Sequence, residues 1–101
     1  MWATEKEKKL DQSTTQVLAV GAAHVESTAI DTGHGPFVFL RVATTTDMYL
    51  FTSQVGTAVT TSNGTLFPAH TIDVIRVEAG DIASVLRVSA DGVCTLTVVE
   101  P

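Results

Sequence analysis

Three histidines and one cysteine are the residues of this 101-residue sequence that could do chemistry on their own. The imidazoles of His24, His34 and His70 could bind zinc or iron, and the thiolate of Cys94 could act as a nucleophile. Their spacings match no compact zinc or iron pattern, and a single cysteine cannot form an internal disulfide bond. We therefore expect the histidines to lie in loops or at strand edges, and Cys94 to be a small buried hydrophobe.

The polar loops also lack a catalytic arrangement of side chains. Residues 31–35, Asp-Thr-Gly-His-Gly, place an acid near a histidine, but no nucleophile elbow, phosphate-binding loop or carboxylate pair accompanies them. Asp73, Asp81 and Asp91 lie mostly at turns, where aspartate commonly bonds to its own backbone. The sequence predicts a protein that is not an enzyme, with no catalytic residues, no metal ligands and no cofactor.

The elements that would position any site are β-strands. Valine, isoleucine and threonine number 14, 4 and 16, about a third of the chain, and their branched side chains suit the pleated surface of a sheet. The length suits one domain. Residues 43–70 hold one formal charge, Asp47, and many threonines among large apolar groups. Such a stretch resembles neither an ordinary core nor a charged surface, and it favours a domain packed against other proteins.

The distribution of charge excludes two classes of partner. The first 12 residues are balanced, so the net charge of −5 belongs to the rest of the chain, where no lysine occurs. An acidic body repels phosphate, so we expect neither nucleic-acid binding nor binding to anionic membranes. No apolar run approaches the roughly 20 residues of a membrane span.

The order of strand and turn signals predicts the fold. We expect an all-β protein, either a small antiparallel β-sandwich or a jelly-roll-like barrel, with a C-terminal β-meander and a polar N-terminal arm. The arm would be residues 1–14 and the sandwich domain residues 15–101. Residues 16–30 are predicted to form one or two strands. Further strands are predicted at 37–42, 48–53, 71–77, 82–88 and 93–99, and a short hairpin at Asn63-Gly64.

The meander would have two apolar faces. Pairing Val77 with Ile82 and Val88 with Val93 gathers Cys94, Leu96 and Val98 on a core face. The opposite face mixes hydroxyls with apolar residues and would bind partner proteins through Ile75, Leu86 and Val99. Residues 37–42, Phe-Val-Phe-Leu-Arg-Val, are apolar on both sides, so we expect both sides to be covered.

The arm carries one aromatic side chain, Trp2. A tryptophan at a terminus is either an exposed residue without a role or an anchor for a partner's pocket. The second interpretation makes Trp2 and Leu10 the partner-binding residues of the arm, which would order when it binds.

Part of the sequence resembles a known class of proteins. The segments Arg41–Asp47, Phe67–Ala69, Val77–Asp81 and Thr97–Glu100 resemble a pattern seen in small virion-associated proteins of tailed bacteriophages. The resemblance covers about residues 36–101 and excludes the arm. One more threonine than usual precedes Asp47, and Phe67 stands beside the usual leucine position, which Leu66 fills.

The resemblance implies a virion structural protein, a capsid decoration or cement protein on the capsid surface, made in the host cytoplasm. Its partners would be the major capsid protein and sister copies of the chain, as a homotrimer or another small ring. One alternative is another virion component, such as a head-fibre base, a neck protein or a tail protein. The other is a carbohydrate-binding β-sandwich, for which Tyr49 and Phe67 are the aromatic candidates outside the arm.

Overall fold

The computed structural model of the chain describes residues 10–30 and 35–99, with the backbone alone for residues 10–13. Eight β-strands form within these ranges. They are β1 Leu10–Val20, β2 Val25–Glu26, β3 Phe37–Thr44, β4 Met48–Ser53, β5 Thr65–Phe67, β6 Ile72–Glu78, β7 Ile82–Arg87 and β8 Gly92–Val99. The part of the chain that the structure describes contains no helix able to cross a lipid bilayer.

The strands form two four-stranded antiparallel sheets packed face to face. Sheet A has the strand order β1-β8-β3-β6, and sheet B has the order β2-β7-β4-β5. This order arises when a long ribbon that pairs β1 with β8, β2 with β7, β3 with β6 and β4 with β5 is rolled up. It is the connectivity of an eight-stranded jelly roll. The sandwich prediction is confirmed, with jelly-roll connectivity, and the sheets do not close into a barrel.

Alternating side chains of both sheets form the core. Leu40 and Leu96 point inward from sheet A and meet Met48 and Val85 from sheet B, and each is at most 1% exposed. Apolar burial of this kind supplies the main stabilisation of a sandwich. Cys94 is fully buried in the same cluster, which confirms its prediction as a small core hydrophobe.

The predicted C-terminal meander is wrong in its pairing, although its three strands are present. The strand β6 pairs with β3, β7 pairs with β2 and β4, and β8 pairs with β1 and β3. Each short turn, at 79–81 and 88–91, therefore carries the chain from one sheet to the other instead of closing a hairpin. A turn of that length can either close a hairpin or cross to the other sheet, and the long-range pairing of the strands decides which of the two occurs.

The face assigned to β6 is also reversed. Val77 is buried and pairs with Val38, and Ile75 packs against the core, whereas Ile72 is 62% exposed. The predicted assignment held for β8, where Cys94, Leu96 and Val98 are buried. It failed for β6 because it assumed that Val77 pairs with Ile82.

The hairpin predicted at Asn63-Gly64 is displaced. The antiparallel neighbours are β4 and β5, and residues 54–64 form the loop between them. Asn63 and Gly64 close the end of that loop, where the Gly64 N–H donates to the Thr60 carbonyl at 3.1 Å.

The boundary of the N-terminal arm lies earlier than predicted. The strand β1 begins at Leu10, which pairs with Val99, so residues 10–14 belong to the sandwich. Five residue steps separate Asp11 from Gln16 on β1, but only two separate their partners on β8. The bulge is held by Thr14, whose Oγ1 accepts the Val98 N–H at 3.0 Å. A bulge breaks the alternation on which strand prediction depends, so the sequence pattern did not reveal the start of β1.

We expect Gly92→Ala to lower the free energy of unfolding by about 2 kcal/mol. A Cβ at Gly92 would lie 2.6 Å from Cγ2 and 2.7 Å from Cβ of Thr46, which is too close for either group to remain in place. The matched control is Gly21→Ala, whose new Cβ meets nothing nearer than the Asp91 carboxylate at 3.8 Å. Urea unfolding of both variants measures the difference, and equal midpoints would contradict the close packing of Thr46 on Gly92.

Candidate interaction surface

The outer face of sheet B is partly covered by the chain itself. The loop 54–64 crosses this face and buries Val59 to 3% exposure. The Val59 N–H donates to Oγ of the fully buried Ser84 at 3.0 Å. Gly64 lies so close to the sheet that a Cβ there would be 2.7 Å from Cβ of Tyr49. The threonine-rich loop therefore covers part of this side of the sandwich, while Leu66 on the same side is 54% exposed.

The loop 54–64 is shaped by its own polar side chains. The Asn63 carboxamide oxygen accepts the Thr60 N–H at 2.7 Å, and its nitrogen donates to the Ala58 carbonyl at 3.2 Å. Thr60 Oγ1 accepts the Ser62 N–H at 3.2 Å. Short polar side chains of this kind replace strand pairing as the partners of loop backbone. This accounts for the uncharged polar composition of the segment.

The outer face of sheet A differs, because large apolar side chains there are exposed. Val17, Ile72 and Val93 are 66%, 62% and 41% exposed, and Phe37 and Phe39 lie on the same side of the sheet. We call this side of sheet A the apolar face. At standard strand spacing the four strands span about 19 by 23 Å, an area of roughly 440 Å². This footprint also includes charged and hydroxyl side chains, but clusters of exposed large apolar side chains such as these often mark interaction sites on soluble proteins.

Three charged side chains of the described residues lie on the apolar face, and two of them are arginines. Arg41 stands opposite Thr97 and Val74, and Arg76 stands opposite Phe39. The Arg76 guanidinium lies 4.2 Å above the centroid of the Phe37 ring, a cation–π contact that fixes its position. Glu78, opposite Phe37, is the acid on this face. No carboxylate of the described residues forms an ion pair with either arginine, whereas Arg87 is paired with Asp91 at 2.6 Å.

A groove of about 340 Å³ indents one end of the apolar face. Ala43, Ile72, Val93 and Thr95 form its walls, and His70 lies at its rim. At the opposite end the face is partly covered by the bulge of β1, where the hydroxyl oxygens of Thr15 and Thr97 are 2.9 Å apart. The bulge therefore covers the face near Thr97, whereas Phe37 and Phe39 remain about 40% exposed and the groove end is open.

Residues 44–47, which we call the threonine corner, support the groove from behind. Oγ1 of Thr45 accepts the Val93 N–H at 2.9 Å, and Oγ1 of Thr46 donates to the Ala90 carbonyl at 2.8 Å. The Asp47 carboxylate accepts the Ala69 N–H at 2.6 Å. Arg41–Asp47 and Phe67–Ala69, two segments of the phage-like pattern, therefore meet in space. The corner bonds both the β5–β6 and the β7–β8 connections.

His70 has a structural place in this arrangement. Its φ of 61° lies in the left-handed region, which histidine adopts more readily than most residues. Its N–H donates to the Thr44 carbonyl at 2.9 Å, so the unusual backbone angle turns the chain from the corner into β6. The sequence pattern gave no signal for this conformation.

The predicted partner-binding residues of the sheet do not share a surface. Val99 is 3% exposed, Ile75 packs against the core from the edge strand β6, and Leu86 is half-buried in the other sheet. The prediction grouped these three residues on one face because it depended on the meander register, and the structure separates them. Trp2 lies outside the described residues, and the structure gives only the backbone of Leu10, which pairs with Val99.

The chemically capable residues are dispersed. His24 and His70 are exposed in different connections, and His34 lies outside the described residues. Within residues 10–30 and 35–99, no group of three or more histidine, cysteine, aspartate or glutamate side chains could hold a metal ion. Burial raises the pKa of the Cys94 thiol to about 12, so the thiolate is not formed at neutral pH.

The chain matches no protein-family profile, and neither a curated protein nor a solved structure is significantly similar to it. The apolar face is therefore identified from its own geometry.

Sequence reasoning missed part of the apolar face, although one signal was present. The segment Phe37–Val42 was predicted to be covered on both sides, and it supplies Phe37, Phe39 and Arg41 to this face. Val93 fell on the predicted outer face of the meander, as in the structure, whereas Ile72 was assigned to the core face because the pairing of β6 with β3 is non-local. A pattern along one strand cannot show which strands lie beside it.

Proposed function

We propose that the protein is a structural component of a bacteriophage virion, a decoration protein that binds the exterior of the capsid and stabilises contacts between major capsid subunits. The observation that carries the proposal is the apolar face of sheet A, which is exposed in a sandwich whose other face is partly covered by its own loop. We expect another protein to cover these exposed apolar side chains when the protein functions.

Two further observations support this function. Jelly rolls occur in viral capsid proteins, although the fold by itself does not define an activity. The segments that resemble small phage virion proteins include the threonine corner, which supports the groove. In this proposal many copies, each as part of a homotrimer, bury ordinary interfaces whose sum resists internal pressure on the shell.

The carbohydrate-binding alternative is less well supported. Sugar sites commonly use an exposed aromatic ring as a platform, and lectins also adopt jelly rolls. The exposed rings, Phe37 and Phe39, contact each other edge to face at an interplanar angle of 87°. The Arg76 guanidinium already occupies one face of the Phe37 ring. Tyr49 and Phe67, the aromatic candidates from the sequence, are half-buried and buried in sheet B.

The copy number in purified virions tests the proposal against other virion roles. A decoration protein is expected at a fixed, high ratio to the major capsid subunit, whereas a head-fibre, neck or tail protein is present in few copies. Quantitative mass spectrometry of intact particles measures this ratio. Absence of the chain from the particles, or a few copies per virion, would overturn the decoration role.

Removal of residues 2–9 tests the predicted role of the arm. These residues precede β1, so the truncated chain is expected to keep the unfolding midpoint of the full chain while its affinity for expanded capsids falls about tenfold. Deletion to residue 12 is unsuitable, because it removes the pairing of Leu10 with Val99. Equal affinity of the truncated and full chains would show that Trp2 is not an anchor.

A further inference from the structure

We infer that the apolar face binds a surface of the capsid subunit that is apolar at its centre and bordered by carboxylates. The inference rests on the proposed function and specifies which side of the decoration protein is attached and what chemistry it meets. The charges of the described residues and the state of the β6 edge of the sheet both support it.

The charges of the described residues are segregated. Arg41 and Arg76 lie on the apolar face with Glu78, so the described side chains of this side carry a net charge of +1, whereas the whole chain carries −5. The other five described carboxylates, on Glu26, Asp47, Asp73, Asp81 and Asp91, lie off this face. Complementary charge steers association and sets register, and an arginine can bind a carboxylate through two parallel hydrogen bonds. The partner best suited to this face therefore carries acids opposite the arginines.

A second copy of the chain is poorly suited to bind the apolar face. Two copies packed face to face would confront a net positive side with itself, which costs free energy when the contact excludes water. A capsid subunit can supply both the acids and additional contacts beyond the edge of the sheet.

Strand addition at the β6 edge of sheet A is also unsuitable. The Asp73 carboxylate accepts the Val74 N–H of the edge strand β6 at 2.8 Å, and the Asp81 carboxylate accepts the Glu78 N–H at 3.0 Å. A strand added at this edge would need such backbone donors and would meet the two carboxylates instead. The partner is thus expected to contact the side chains of the face, and the groove beside Ile72 and Val93 is the place for an apolar side chain of the partner.

The experiment measures binding of fluorescently labelled full-length protein to expanded capsids that lack decoration. Ile72→Asp places a charge beside the groove, and its control Val55→Asp makes the same change at a residue that is 83% exposed in the loop over sheet B. Arg41→Gln removes a positive charge from the face, and its control Arg87→Gln removes one that is paired with Asp91 elsewhere. Both face variants are expected to weaken binding at least about tenfold, and both controls less than about twofold. Unfolding midpoints verify that all four variants are folded.

The outcomes separate the inference from the proposed function. If the wild-type protein fails to bind capsids, the decoration role and the inference are both wrong. If it binds and Ile72→Asp binds equally well, the role stands and the apolar face is not the contact. If Ile72→Asp fails but Arg41→Gln binds normally, the partner surface is not acidic. If the wild-type protein forms a stable dimer in sedimentation and Ile72→Asp abolishes it, the face joins two copies and the inference is overturned.

Discussion

Leu96→Ala is expected to lower the free energy of unfolding by about 3 kcal/mol, a large part of the 5–15 kcal/mol that holds a domain of this size folded. Leu96 is fully buried in the centre of β8, a strand that pairs with β1 on one side and β3 on the other. Its side chain meets the inward residues of sheet B, so truncation opens a cavity between two sheets whose backbones are fixed by their ladders. Such a site cannot collapse easily, and the cost includes both lost burial and the cavity.

The control for Leu96→Ala lies on the same strand. Val93→Ala also shortens an aliphatic side chain of β8, but Val93 points outward and is 41% exposed. We expect a loss of about 0.5 kcal/mol or less there. Chemical unfolding followed by circular dichroism measures both variants. A similar loss at the two positions would mean that Leu96 and Val93 do not lie on opposite faces of β8, and the assignment of the apolar face would fail with it.

The strands were predictable from the sequence, and their neighbours were not. Alternation and β-branched residues located β3, β4, β6, β7 and β8 to within about two residues. Strand pairing in a jelly roll is decided by contacts such as β1 with β8, between residues at opposite ends of the chain. The turn at 79–81 has the length of a hairpin and contains Gly80 with φ of 92°, yet it joins two different sheets. Local turn chemistry constrains the backbone at the turn and leaves the destination of the next strand open.

This limit explains the outcome for the candidate site. A one-residue change in register moves every side chain of a strand to its other face. Because the predicted partner of β6 was incorrect, Ile72 was assigned to the core face and Ile75 to the outer face, the reverse of what the structure shows. The general expectation of a large apolar surface required only composition and the two-sided pattern of Phe37–Val42. The particular residues required the pairing of β3 with both β6 and β8. The sequence likewise indicated that the threonines belong to an uncharged, packed segment. Only the structure shows that Thr45 bonds to β8 and Thr46 to the β7–β8 turn.

The stability of the protein is expected to fall steeply above pH 9 because of Cys94. Burial raises the pKa of this thiol from its ordinary value of 9.0 to about 12 in the folded chain. Between these values the unfolded chain has lost the thiol proton and the folded chain has kept it, so raising the pH favours unfolding. The contribution is therefore fully present below pH 9 and decreases by about 1.4 kcal/mol for each pH unit above it. Between pH 8.5 and 10.5 the loss amounts to about 2 kcal/mol.

Cys94→Ala isolates this effect, because all other alkaline titrations are common to both proteins. The variant loses some stability at pH 8, where the thiol is neutral in both states and only its packing is removed. As the pH rises to 10.5, the difference between the wild-type protein and Cys94→Ala is expected to narrow by about 2 kcal/mol. Urea unfolding at four or five pH values measures the narrowing. A difference that stays constant would mean that the thiol ionises as easily in the folded chain as in the unfolded one, and that Cys94 is therefore in contact with water, contrary to its place between the two sheets.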